Sequence, residues 1–546
     1  MSELVMHGNQ AGGQAARNIA LVGFMGAGKS TVGQMLAAQG GLTFLDIDTL
    51  IEKEAGLSIP AIFETRGEAY FRRLESRLTQ EAAAGEGLVI ATGGGAVTDP
   101  ATLEALKKNC FVVWLHAGLE LLLARTGHTP GTRPLLAGKK EQIEELWRRR
   151  LPLYAVAHLV VDAAAPAAEI AGRLLRLWRG TERFGPLAVA GVALGARSYQ
   201  ITVGTGLLAD IDRYIPGHKG KALVVGDSNT WPLYGEQVFL ALARAGWECR
   251  QCVFPAGERS KNLEVLAGLY KACAQARLER SSVVIAVGGG VTGDLAGLAA
   301  ATYLRGVRFV QVPTTLLAQV DAAVGGKVAI DLEEGKNLVG AFYQPAAVVA
   351  DMAALSSLPS RQLLSGLAEV IKHGLIADAP LFAFLEEELP AVLSYHSAAL
   401  ARCVLDSCRI KSAVVEEDET EAKGRRELLN FGHTVAHAVE TVTGYSRYTH
   451  GEAVAIGMVT ATHLSVNRGL PAGVLERLLN LLKRAGLPVA APDLPIEAVV
   501  AAAGRDKKVK DGQLRLVLLT ALGRAQAGVP VSPEELAQAL SWQAGL

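Results

Sequence analysis

Short apolar runs that end in glycines or polar residues recur through the first two thirds of the chain. Residues 19–22, 88–91 and 283–287 are examples, and each runs into a glycine-rich turn. Continuous apolar runs of this length are typical of buried parallel strands, and helical segments between them indicate an α/β fold. Beyond Asp351 the pattern changes to long amphipathic helical segments that continue to Leu482. The sequence therefore predicts α/β regions followed by a helical half, with a ligand cleft between the last α/β region and that half.

Length and composition limit the classes of protein that fit. The 546 residues exceed one typical domain and predict about two to four. Half of them are hydrophobic, 20% are charged and the formal net charge is zero, which gives no support for nucleic-acid or anionic-membrane binding. Residues 1–17 are expected to be a disordered lead-in without a signal-type apolar core, and no apolar run has membrane-spanning length. The expectation is a cytoplasmic enzyme that acts on small molecules.

A phosphate-binding loop follows the first apolar run. Gly23, four further residues, Gly28, Lys29 and Ser30 form the pattern GxxxxGKS between a strand and a helix. The alternative, a chance glycine-rich turn, does not account for both flanking elements. In such loops backbone N–H groups surround phosphates, the lysine reaches the transferred phosphate and the serine hydroxyl can bind Mg²⁺. The predicted ATP-binding residues are Gly26, Gly28, Lys29, Ser30 and Thr31.

Polar motifs follow at spacings typical of small kinases. Asp46 and Asp48 end an apolar run, and their spacing of two predicts that they share one face of a strand. Each motif alone is weak, because paired acids are often solvated and arginines usually lie on exposed helix faces. A polar, glycine- and proline-rich segment such as HTPGTRPLL suits a mobile lid. The motifs, in chain order, are Arg72 in GEAYFRRLE, the triple glycine Gly93, Gly94 and Gly95, Arg133 in HTPGTRPLL and Arg150 in WRRRLPLY.

In this order the motifs resemble those of shikimate kinase over residues 18–178. The resemblance implies ATP-dependent phosphorylation of shikimate to shikimate 3-phosphate, on a P-loop parallel sheet like that of nucleoside-monophosphate kinases. Mg²⁺ would be held by Ser30 and Asp46, and catalysis would fall to Lys29, Asp48 and Arg133, with Asp48 as the base. Guanidinium groups suit a carboxylate substrate. Substrate contacts are implied for Asp48, Arg72, Gly93, Gly94, Gly95 and Arg150, and an ATP contact for Arg133.

A second α/β region opens near Tyr199 and contains another glycine loop. Residues 288–294 follow an apolar run but depart from GxGxxG spacing, so they indicate a generic dinucleotide-phosphate loop, with a tight structural turn as the alternative. Thr314 and Thr315 end the next apolar run, where hydroxyl groups suit a ligand crevice. Cationic residues beside glycines or in apolar segments favour an anion pocket over a solvated surface. They are Arg305, Lys327, Lys336 and Lys372.

Three histidines lie close together in residues 428–452. His433 and His437 are four residues apart in a predicted helix, so their side chains would share one face, and His450 follows. Imidazoles at such spacing can converge on a divalent metal ion. Helix-capping or core histidines are the alternative, and spacing alone leaves both interpretations open. If a metal is bound, the spacing favours His433 and His437 as the ligand pair.

Residues 195–540 resemble 3-dehydroquinate synthase. The resemblance implies conversion of 3-deoxy-D-arabino-heptulosonate 7-phosphate to 3-dehydroquinate and phosphate, with NAD reduced and reoxidised in each turnover. The motifs that carry it are PAGERSK, GGGVTGD, RGVRFVQVPTTLLAQVDAAVGGK, GKNLVGAFYQP, GLAEVIKHG, LLNFGHTVAHAVE, HGEAV and RDKKVKDG. The implied NAD contacts are Glu258, Lys261, Gly289, Gly290, Asp294, Thr314, Thr315, Lys327, Lys336 and Ser357, the last in place of a threonine.

The same resemblance implies a metal site for Zn²⁺ or Co²⁺ and a substrate pocket. The metal ligands would be Glu369, His433 and His450, which moves His437 to the substrate side as a proton-transfer group. Lys327 and Lys372 are further implied catalytic residues. The substrate pocket would contain Arg305, Asp321, Asn337, Lys372, Lys411, Arg426 and Lys508, with Lys507 as the alternative to Lys508.

The predicted domain organisation combines both resemblances in one chain. It consists of the lead-in at 1–17, a kinase domain at 18–178, a linker at 179–194, a NAD-binding α/β half at 195–355 and an all-helical metal- and substrate-binding half at 356–546. Such a fusion would catalyse two non-consecutive steps of aromatic amino acid biosynthesis, and the resemblance suggests a homodimer through the synthase domain. One alternative is a metal- and NAD-dependent polyol dehydrogenase fused to a small-molecule kinase, and another is a non-catalytic nucleotide-sensing domain. The lysines argue against a polyol, which has no phosphate to bind.

Overall fold

The first unit of the fold is a parallel sheet with helices on both faces. The structure, a computed structural model, describes residues 18–126, 140–179, 185–504 and 514–546. The strands of this unit are β1 (Asn18–Val22), β2 (Thr43–Asp46), β3 (Leu88–Ala91), β4 (Cys110–His116) and β5 (Leu159–Asp162). Its helices are α1 (Lys29–Gly40), α2 (Ile47–Ala55), α3 (Ile59–Ala83), α4 (Pro100–Asn109), α5 (Leu119–Thr126), α6 (Lys140–Tyr154) and α7 (Ala167–Arg179). The strand order β2-β3-β1-β4-β5 places β1 in the centre.

The position of β1 explains where the glycine loop lies. Every residue of β1 is buried, and parallel pairing with β3 and β4 holds the strand on both edges. The loop between β1 and α1 therefore emerges at the middle of the carboxyl edge of the sheet, where α/β folds bind ligands. Gly28 ends this loop with φ of 86°, a left-handed conformation that favours glycine.

The local structure around Asp46 and Asp48 differs from the prediction that they share one face of a strand. Strand β2 ends at Asp46, and Asp48 lies in the first turn of α2. The Asp46 carboxylate caps α2, because its Oδ1 accepts a hydrogen bond from the Asp48 backbone N–H at 3.0 Å. The preference of aspartate for helix N-termini outweighs the apolar alternation that indicated a longer strand.

The second unit is a larger sheet with a separate hairpin. Its strands are β6 (Gly185–Val192), β7 (Tyr199–Thr205), β8 (Lys221–Asp227), β9 (Glu248–Phe254), β10 (Val283–Gly288), β11 (Arg308–Pro313), β12 (Lys327–Leu332), β13 (Gly335–Phe342) and β14 (Ala347–Asp351). Its helices are α8 (Glu236–Arg244), α9 (Leu263–Gln275) and α10 (Gly290–Thr302). The order is β6-β7-β14-β11-β10-β8-β9, parallel except for β6, while β12 and β13 form the hairpin. Residues 179–194, expected to be a linker, thus contain β6.

The third unit is mainly helical. Its helices are α11 (Met352–Leu355), α12 (Ser360–Ala377), α13 (Ala379–Leu393), α14 (Ser397–Glu417), α15 (His433–Val442), α16 (His450–Val466), α17 (Ala472–Ala485), α18 (Ile496–Ala503) and α19 (Pro533–Ala544). An antiparallel pair, β15 (Arg515–Ala521) and β16 (Arg524–Pro530), accompanies them. The predicted α/β fold with a helical C-terminal region is confirmed. In the described parts of the chain, no helix has the length and apolar character needed to cross a membrane.

Two glycines let α12, α15 and α16 approach one another closely. A Cβ on Gly451 would lie 2.1 Å from the backbone oxygen of Ser365 on α12. A Cβ on Gly457 would lie 2.0 Å from the backbone oxygen of Gly432, which precedes α15. Any side chain at these positions would push the helices apart, because backbone atoms cannot move aside as a flexible side chain can. The glycines therefore fix the mutual distances of the three helices that carry Glu369, His433 and His450.

The first and second units share a buried interface. Lys107 Nζ pairs with Asp210 Oδ2 at 3.1 Å, and Gln237 Nε2 donates to the backbone oxygen of Ala157 at 2.8 Å. Gln237 is 2% exposed, and partly buried Leu240 of α8 packs against the hydrophobic core of the first unit. Contacts of this kind resemble those inside a domain more than those between loosely tethered domains. The first two units therefore pack as one body.

His158 is a buried titratable group at this interface. Its Nδ1 accepts a hydrogen bond from the backbone N–H of Val112 at 3.0 Å. A Cβ on Gly206, from the second unit, would lie 3.1 Å from the His158 Cβ. Burial, assisted by the nearby charge of Lys107, lowers the pKa of His158 from 6.5 to about 4. The native structure therefore holds this imidazole neutral.

The depressed pKa of His158 predicts a pH-dependent loss of stability. The unfolded chain binds a proton below about pH 6.5, whereas the folded chain resists protonation down to about pH 4. The contribution of neutral His158 to the free energy of unfolding is fully present above pH 6.5. It falls as the pH drops toward 4, by about 3 kcal/mol at most. His158→Gln keeps an acceptor for Val112 but does not titrate. Urea midpoints measured from pH 7 to 4.5 should fall more steeply for the wild type than for this variant, and parallel curves would contradict the prediction.

Candidate active sites

The glycine loop after β1 opens onto a cavity of about 710 Å³. Lys29 Nζ donates to the Gly23 backbone oxygen at 2.9 Å, and Ser30 Oγ donates to Asp46 Oδ2 at 2.6 Å. The hydroxyl and the carboxylate that the sequence predicts to hold Mg²⁺ are thus adjacent. The cavity brings together most of the predicted residues of this region, namely Gly26, Gly28, Lys29, Ser30, Thr31, Asp46, Asp48, Arg72, Gly94, Gly95 and Arg150.

The glycines 93–95 leave space for the charged side chains of Glu75 and Arg72, which line this cavity. A Cβ on Gly93 would lie 2.1 Å from Glu75 Oε1, and one on Gly95 would lie 2.1 Å from Arg72 Nη1. Alanine at either position would displace a charged group rather than fill empty space. The glycines that follow β3 therefore act by the absence of a side chain, which is the physical basis of their predicted role in shaping a pocket.

Glu75 is a charged residue of the cavity that the motifs do not single out. Its side chain is 3% exposed and pairs with Arg72 Nη1 at 2.6 Å. Burial raises the pKa of Glu75, and the charge of Arg72 opposes that rise. The carboxylate holds the guanidinium against the cavity wall. The signal that could have identified Glu75 is its i, i+3 spacing from Arg72 on one helix.

Three donor groups converge in the helical unit. Glu369 on α12, His433 at the start of α15 and His450 at the start of α16 offer ligand atoms within 4.8 Å of one another. Glu369 Oε1 lies 3.4 Å from His433 Nε2 and 3.5 Å from His450 Nε2. His437 does not belong to the converging group found among the described residues, although its ring centroid lies 5.7 Å from that of His433. The pair favoured by spacing is therefore not the trio that the fold assembles.

The chemistry of the trio fits a divalent ion. His433 Nδ1 lies 3.1 Å from the Phe431 backbone oxygen, and His450 Nδ1 lies 3.3 Å from Glu440 Oε1. Such partners orient an imidazole and leave its Nε2 available for a metal. Burial opposes ionisation of Glu369, but the charges of Lys372 and His433 hold its pKa well below the usual range. The carboxylate is therefore ionised, as a metal ligand must be.

A cluster of cations surrounds Asp321 next to this trio. Lys411 Nζ donates to Asp321 Oδ1 and to the Asp321 backbone oxygen, both at 2.6 Å. Although burial opposes ionisation, Lys411 and Lys372 hold the pKa of Asp321 well below its usual range. Burial lowers the pKa of Lys411, and the charges of Arg426 and Lys327 lower it further. Lys372, Lys411 and Arg426 thus place cationic groups close together, as a site for an anionic ligand requires.

The glycine loop of the α/β half lies at the carboxyl edge of the second sheet, between β10 and α10. Gly289 joins β10 to α10, and a Cβ there would lie 3.3 Å from the side chain of Thr315. Lys261 Nζ pairs with Asp294 Oδ2 and donates to Asn337 Oδ1, each at 2.5 Å. Burial raises the pKa of Asp294 to about 6, and Lys261 opposes the rise. A strand, a glycine turn and a helix N-terminus in this order suit a dinucleotide phosphate.

The side chain of Lys336 connects the α/β half to the helical half. The backbone N–H of Thr314 donates to Gly288 at 2.9 Å, and α10 begins at Gly290. Lys336 Nζ lies 3.0 Å from Glu258 Oε1 and 4.5 Å from the ring centroid of Tyr445. Tyr445 follows α15, so Lys336 reaches from β13 to the helical unit. Lys336, one of the predicted dinucleotide residues, thus lies against the helical unit that carries the metal trio.

The predicted residues do not all join these groups. Arg305 is exposed in the turn after α10 with φ of 61°, and none of its contacts among the described residues links it to the cations around Asp321. Lys327 is half-exposed and pairs with Glu421, in the loop that follows α14. Arg133, Lys507 and Lys508 lie outside the described residues.

The geometry defines a class of protein: a P-loop phosphotransferase joined to an α/β dinucleotide-type enzyme with a carboxylate and two histidines that suit a metal ion. Comparison with known proteins agrees with both halves. The shikimate kinase family matches residues 25–178, the N-terminal domain of 3-dehydroquinate synthase matches 251–365 and its C-terminal domain matches 366–509. A 3-dehydroquinate synthase of Symbiobacterium thermophilum is 48% identical over 349 residues, which are 63% of this chain and 97% of that protein.

Two solved structures resemble the larger half. ValA, the 2-epi-5-epi-valiolone synthase of Streptomyces hygroscopicus subsp. jinggangensis 5008, has NAD⁺ and Zn²⁺ bound; it is 31% identical, with a TM-score of 0.60, over 65% of this chain and 98% of that one. A 2-deoxy-scyllo-inosose synthase complexed with carbaglucose-6-phosphate, NAD⁺ and Co²⁺ is 26% identical, with a TM-score of 0.58, over 65% of this chain and 99% of that one.

The chain belongs to the 3-dehydroquinate synthase family, and its first third belongs to the shikimate kinase family. It is a bifunctional enzyme of the shikimate pathway. The first third is a kinase that phosphorylates shikimate, and the rest of the chain is a lyase that forms 3-dehydroquinate and phosphate. The predicted function is confirmed, and the polyol dehydrogenase alternative is less well supported, since both the family and the 48% identical relative are synthases.

The two acidic partners of Arg72 provide a test of the cavity. Glu75→Gln removes a buried charge and should raise the KM for shikimate about tenfold, because Arg72 loses its charged partner. Glu68, 56% exposed, also pairs with Arg72, at 3.1 Å, and serves as the matched control. Glu68→Gln should change the KM by no more than about twofold, because an exposed ion pair is screened by water. Steady-state kinetics would contradict the assignment if the two variants behaved alike.

Proposed function

We propose that the 710 Å³ cavity binds ATP on the loop before α1 and shikimate between Asp48 and two arginines. Lys29 would neutralise charge on the transferred phosphate, and Ser30 with Asp46 would hold Mg²⁺. The hydrogen bond of 2.6 Å between Ser30 and Asp46 supports the assignment of these two residues to Mg²⁺. Phosphoryl transfer requires positioning and positive charge more than covalent participation by the protein.

The shikimate end of the cavity would be organised by opposite charges. Asp48 would accept the proton of the attacking hydroxyl, and Arg72 and Arg150 would bind the carboxylate through paired N–H groups. Arg150 is 5% exposed and, with Gly94 and Gly95, lines the same cavity as Asp48. The role of Arg133 on ATP remains the prediction made from the resemblance.

Replacement of the loop lysine separates the two activities. Lys29→Met should lower kcat for shikimate phosphorylation about a hundredfold or more, because the transferred phosphate loses its cation. The rate of phosphate release from the heptulosonate substrate should not change, since that site is built from other units. Lys53→Met is the matched control, because Lys53 is exposed at the end of α2. Normal kinase activity in Lys29→Met would refute the assignment of the ATP site.

We propose that the synthase half holds a divalent metal, Zn²⁺ or Co²⁺, through Glu369, His433 and His450. The observation that carries this proposal is the convergence of their three ligand atoms within 4.8 Å. Three protein ligands would leave further coordination positions for substrate, as in catalytic rather than closed structural sites. The related synthases with NAD⁺ and Zn²⁺ or with NAD⁺ and Co²⁺ support the same pairing of cofactors here.

NAD would bind around the β10–α10 turn. When bound, NAD supplies reversible hydride exchange and the divalent ion supplies Lewis-acid polarisation of a substrate hydroxyl. The chain would bind the dinucleotide with a helix N-terminus, hydroxyl groups and the Lys261–Asp294 pair. The proposed contacts are Glu258, Lys261, Gly289, Gly290, Asp294, Thr314, Thr315, Lys327, Lys336 and Ser357.

The cations around Asp321 would bind and orient the substrate. Lys372 and Lys411 are 1% and 6% exposed, and Arg426 is 2% exposed, so their charges act in a poorly screened environment. They would hold the phosphate and carboxylate oxygens and stabilise charge that develops near them. His437, close to the trio, would move the proton of the oxidised hydroxyl. Arg305, Asn337 and Lys508 keep their predicted substrate roles.

Histidine variants distinguish the metal ligands from the proton-transfer group. His450→Ala should abolish stoichiometric zinc binding, because it removes one of three ligands. His437→Ala should keep the zinc and lower synthase kcat about a hundredfold or more, because it removes only proton transfer. Zinc content by mass spectrometry and activity before and after chelation give the two readouts, and added Zn²⁺ or Co²⁺ should restore the chelated wild type. Loss of zinc from His437→Ala but not from His450→Ala would favour the pair suggested by spacing.

We further propose a cytoplasmic location and a homodimer formed through the synthase half. The domain bounds would be 18–178 for the kinase and 195–546 for the core of the synthase, with β6 added to the synthase sheet because it pairs with β7. The direct test of the synthase function is to supply the phosphorylated seven-carbon keto-acid with NAD and Zn²⁺. Phosphate and 3-dehydroquinate should form in equal amounts without net accumulation of NADH.

A further inference from the structure

Helix α7 of the kinase unit connects the ATP cavity to the synthase half. Its first residues lie at the cavity, where Ala167 and Ile170 contribute to the lining. About one turn further along, Arg173 Nη2 donates a hydrogen bond to Ser356 Oγ at 2.9 Å. Ser356 immediately follows α11 and precedes Ser357, one of the proposed NAD contacts. A kinase-domain side chain thus touches the segment that carries Ser357.

The segment 353–357 has a hydrogen-bond network that ends at Arg173. Ser356 Oγ donates to the Ala353 backbone oxygen at 2.6 Å, which uses its only hydrogen. Tyr234 OH donates to the Ala354 backbone oxygen at 2.8 Å and also contacts Ser357 Oγ. The Ser356 oxygen can therefore only accept from a further partner, and that partner is the guanidinium of the other domain.

Arg173 contacts neutral hydroxyl groups rather than a carboxylate. Burial raises the pKa of Tyr234, and the nearby charge of Arg173 opposes this rise. Within the described residues, Arg173 has no ion-pair partner and its Nε is buried without a hydrogen bond. A partly satisfied guanidinium is a poor source of stability. Its orientation is better explained by what it holds in place than by the strength of its own contacts.

The contact joins the kinase domain to the synthase fold within one chain. The Symbiobacterium synthase is matched over 97% of its length by 349 residues, which leaves no room in it for a kinase domain and hence for a counterpart of Arg173. In the present chain the segment after β14 is instead supported from outside the synthase fold. A synthase that relies on this support would bind its cofactor less well when the support is removed.

We propose that Arg173 of the kinase domain is a positioning residue for the NAD site of the synthase. It acts through Ser356 on the segment that carries Ser357, and does not itself contact cofactor or substrate. The proposal rests on the proposed placement of NAD beside Ser357. Because the segment must be ordered for the cofactor to bind, a loosened segment reduces the population that is competent to bind it. The effect should therefore appear in NAD affinity and not in the chemical steps.

NAD titration of the full-length chain tests this proposal. Arg173→Ala should raise the Kd for NAD, measured by calorimetry, about tenfold, because a charged hydrogen bond to the segment is lost. The KM for NAD should rise in parallel, while kcat at saturating NAD and shikimate kinase activity stay unchanged. Arg179→Ala, at the exposed end of the same helix, is the matched control and should bind NAD as the wild type does.

Ser356→Ala tests the contact from the other side and does not depend on the folding of the arginine variant. It should also raise the Kd, and the double variant should be no weaker than the worse single variant, because both changes break one contact. Equal Kd values in wild type, Arg173→Ala and Ser356→Ala would overturn the inference while leaving the NAD site intact. A wild type that does not bind NAD would instead overturn the proposed function, and the inference with it.

Discussion

The synthase half depends on one charge that is completely removed from water. Glu369 is 0% exposed, and an isolated buried carboxylate would be very costly. Lys372 pairs with it one turn later on α12, and two imidazoles approach its Oε1 from α15 and α16. The packing of these helices must therefore deliver positive or coordinating groups to a single oxygen. Gly451 and Gly457 allow that packing, since any side chain there would separate the helices.

The start of α16 shows how local and tertiary structure cooperate at this point. Thr449 and Glu452 form a capping box, so the helix begins at His450 and no later. His450 Nδ1 then meets Glu440 of α15, while its Nε2 faces Glu369. The capping box thus fixes the position of His450 along the axis of α16, and Gly451 fixes the distance between α16 and α12. Neither effect alone would place the imidazole.

The features that the sequence predicts well are local. The loop around Lys29 connects β1 to α1, and the glycines 93–95 directly follow β3. The geometry of both loops therefore follows from the short-range sequence pattern. Glu369 is remote in sequence from His433, and spacing therefore favoured His433 and His437 until a family resemblance supplied the long-range partner. The prediction that Asp46 and Asp48 share one face of a strand was wrong, because Asp46 caps helix α2 and ends the strand. The i, i+3 spacing of Glu75 from Arg72 was a local signal, whereas the contacts of Glu75 with Gly93 and of Arg173 with Ser356 arise only from tertiary structure.

The interface between kinase and synthase also affects how the two halves could exist as separate polypeptides. Partly buried Leu240 packs against the kinase core, and buried Ala353 belongs to it. If the chain were divided between 179 and 185 and the two pieces were separated, each piece would expose apolar surface. Lys107 and Asp210 would each lose a partner of opposite charge. Pieces with complementary apolar and charged surfaces tend to associate without a covalent connection. The peptide bond that joins the halves would then serve mainly to guarantee equal numbers of each, with recognition already encoded in the two surfaces.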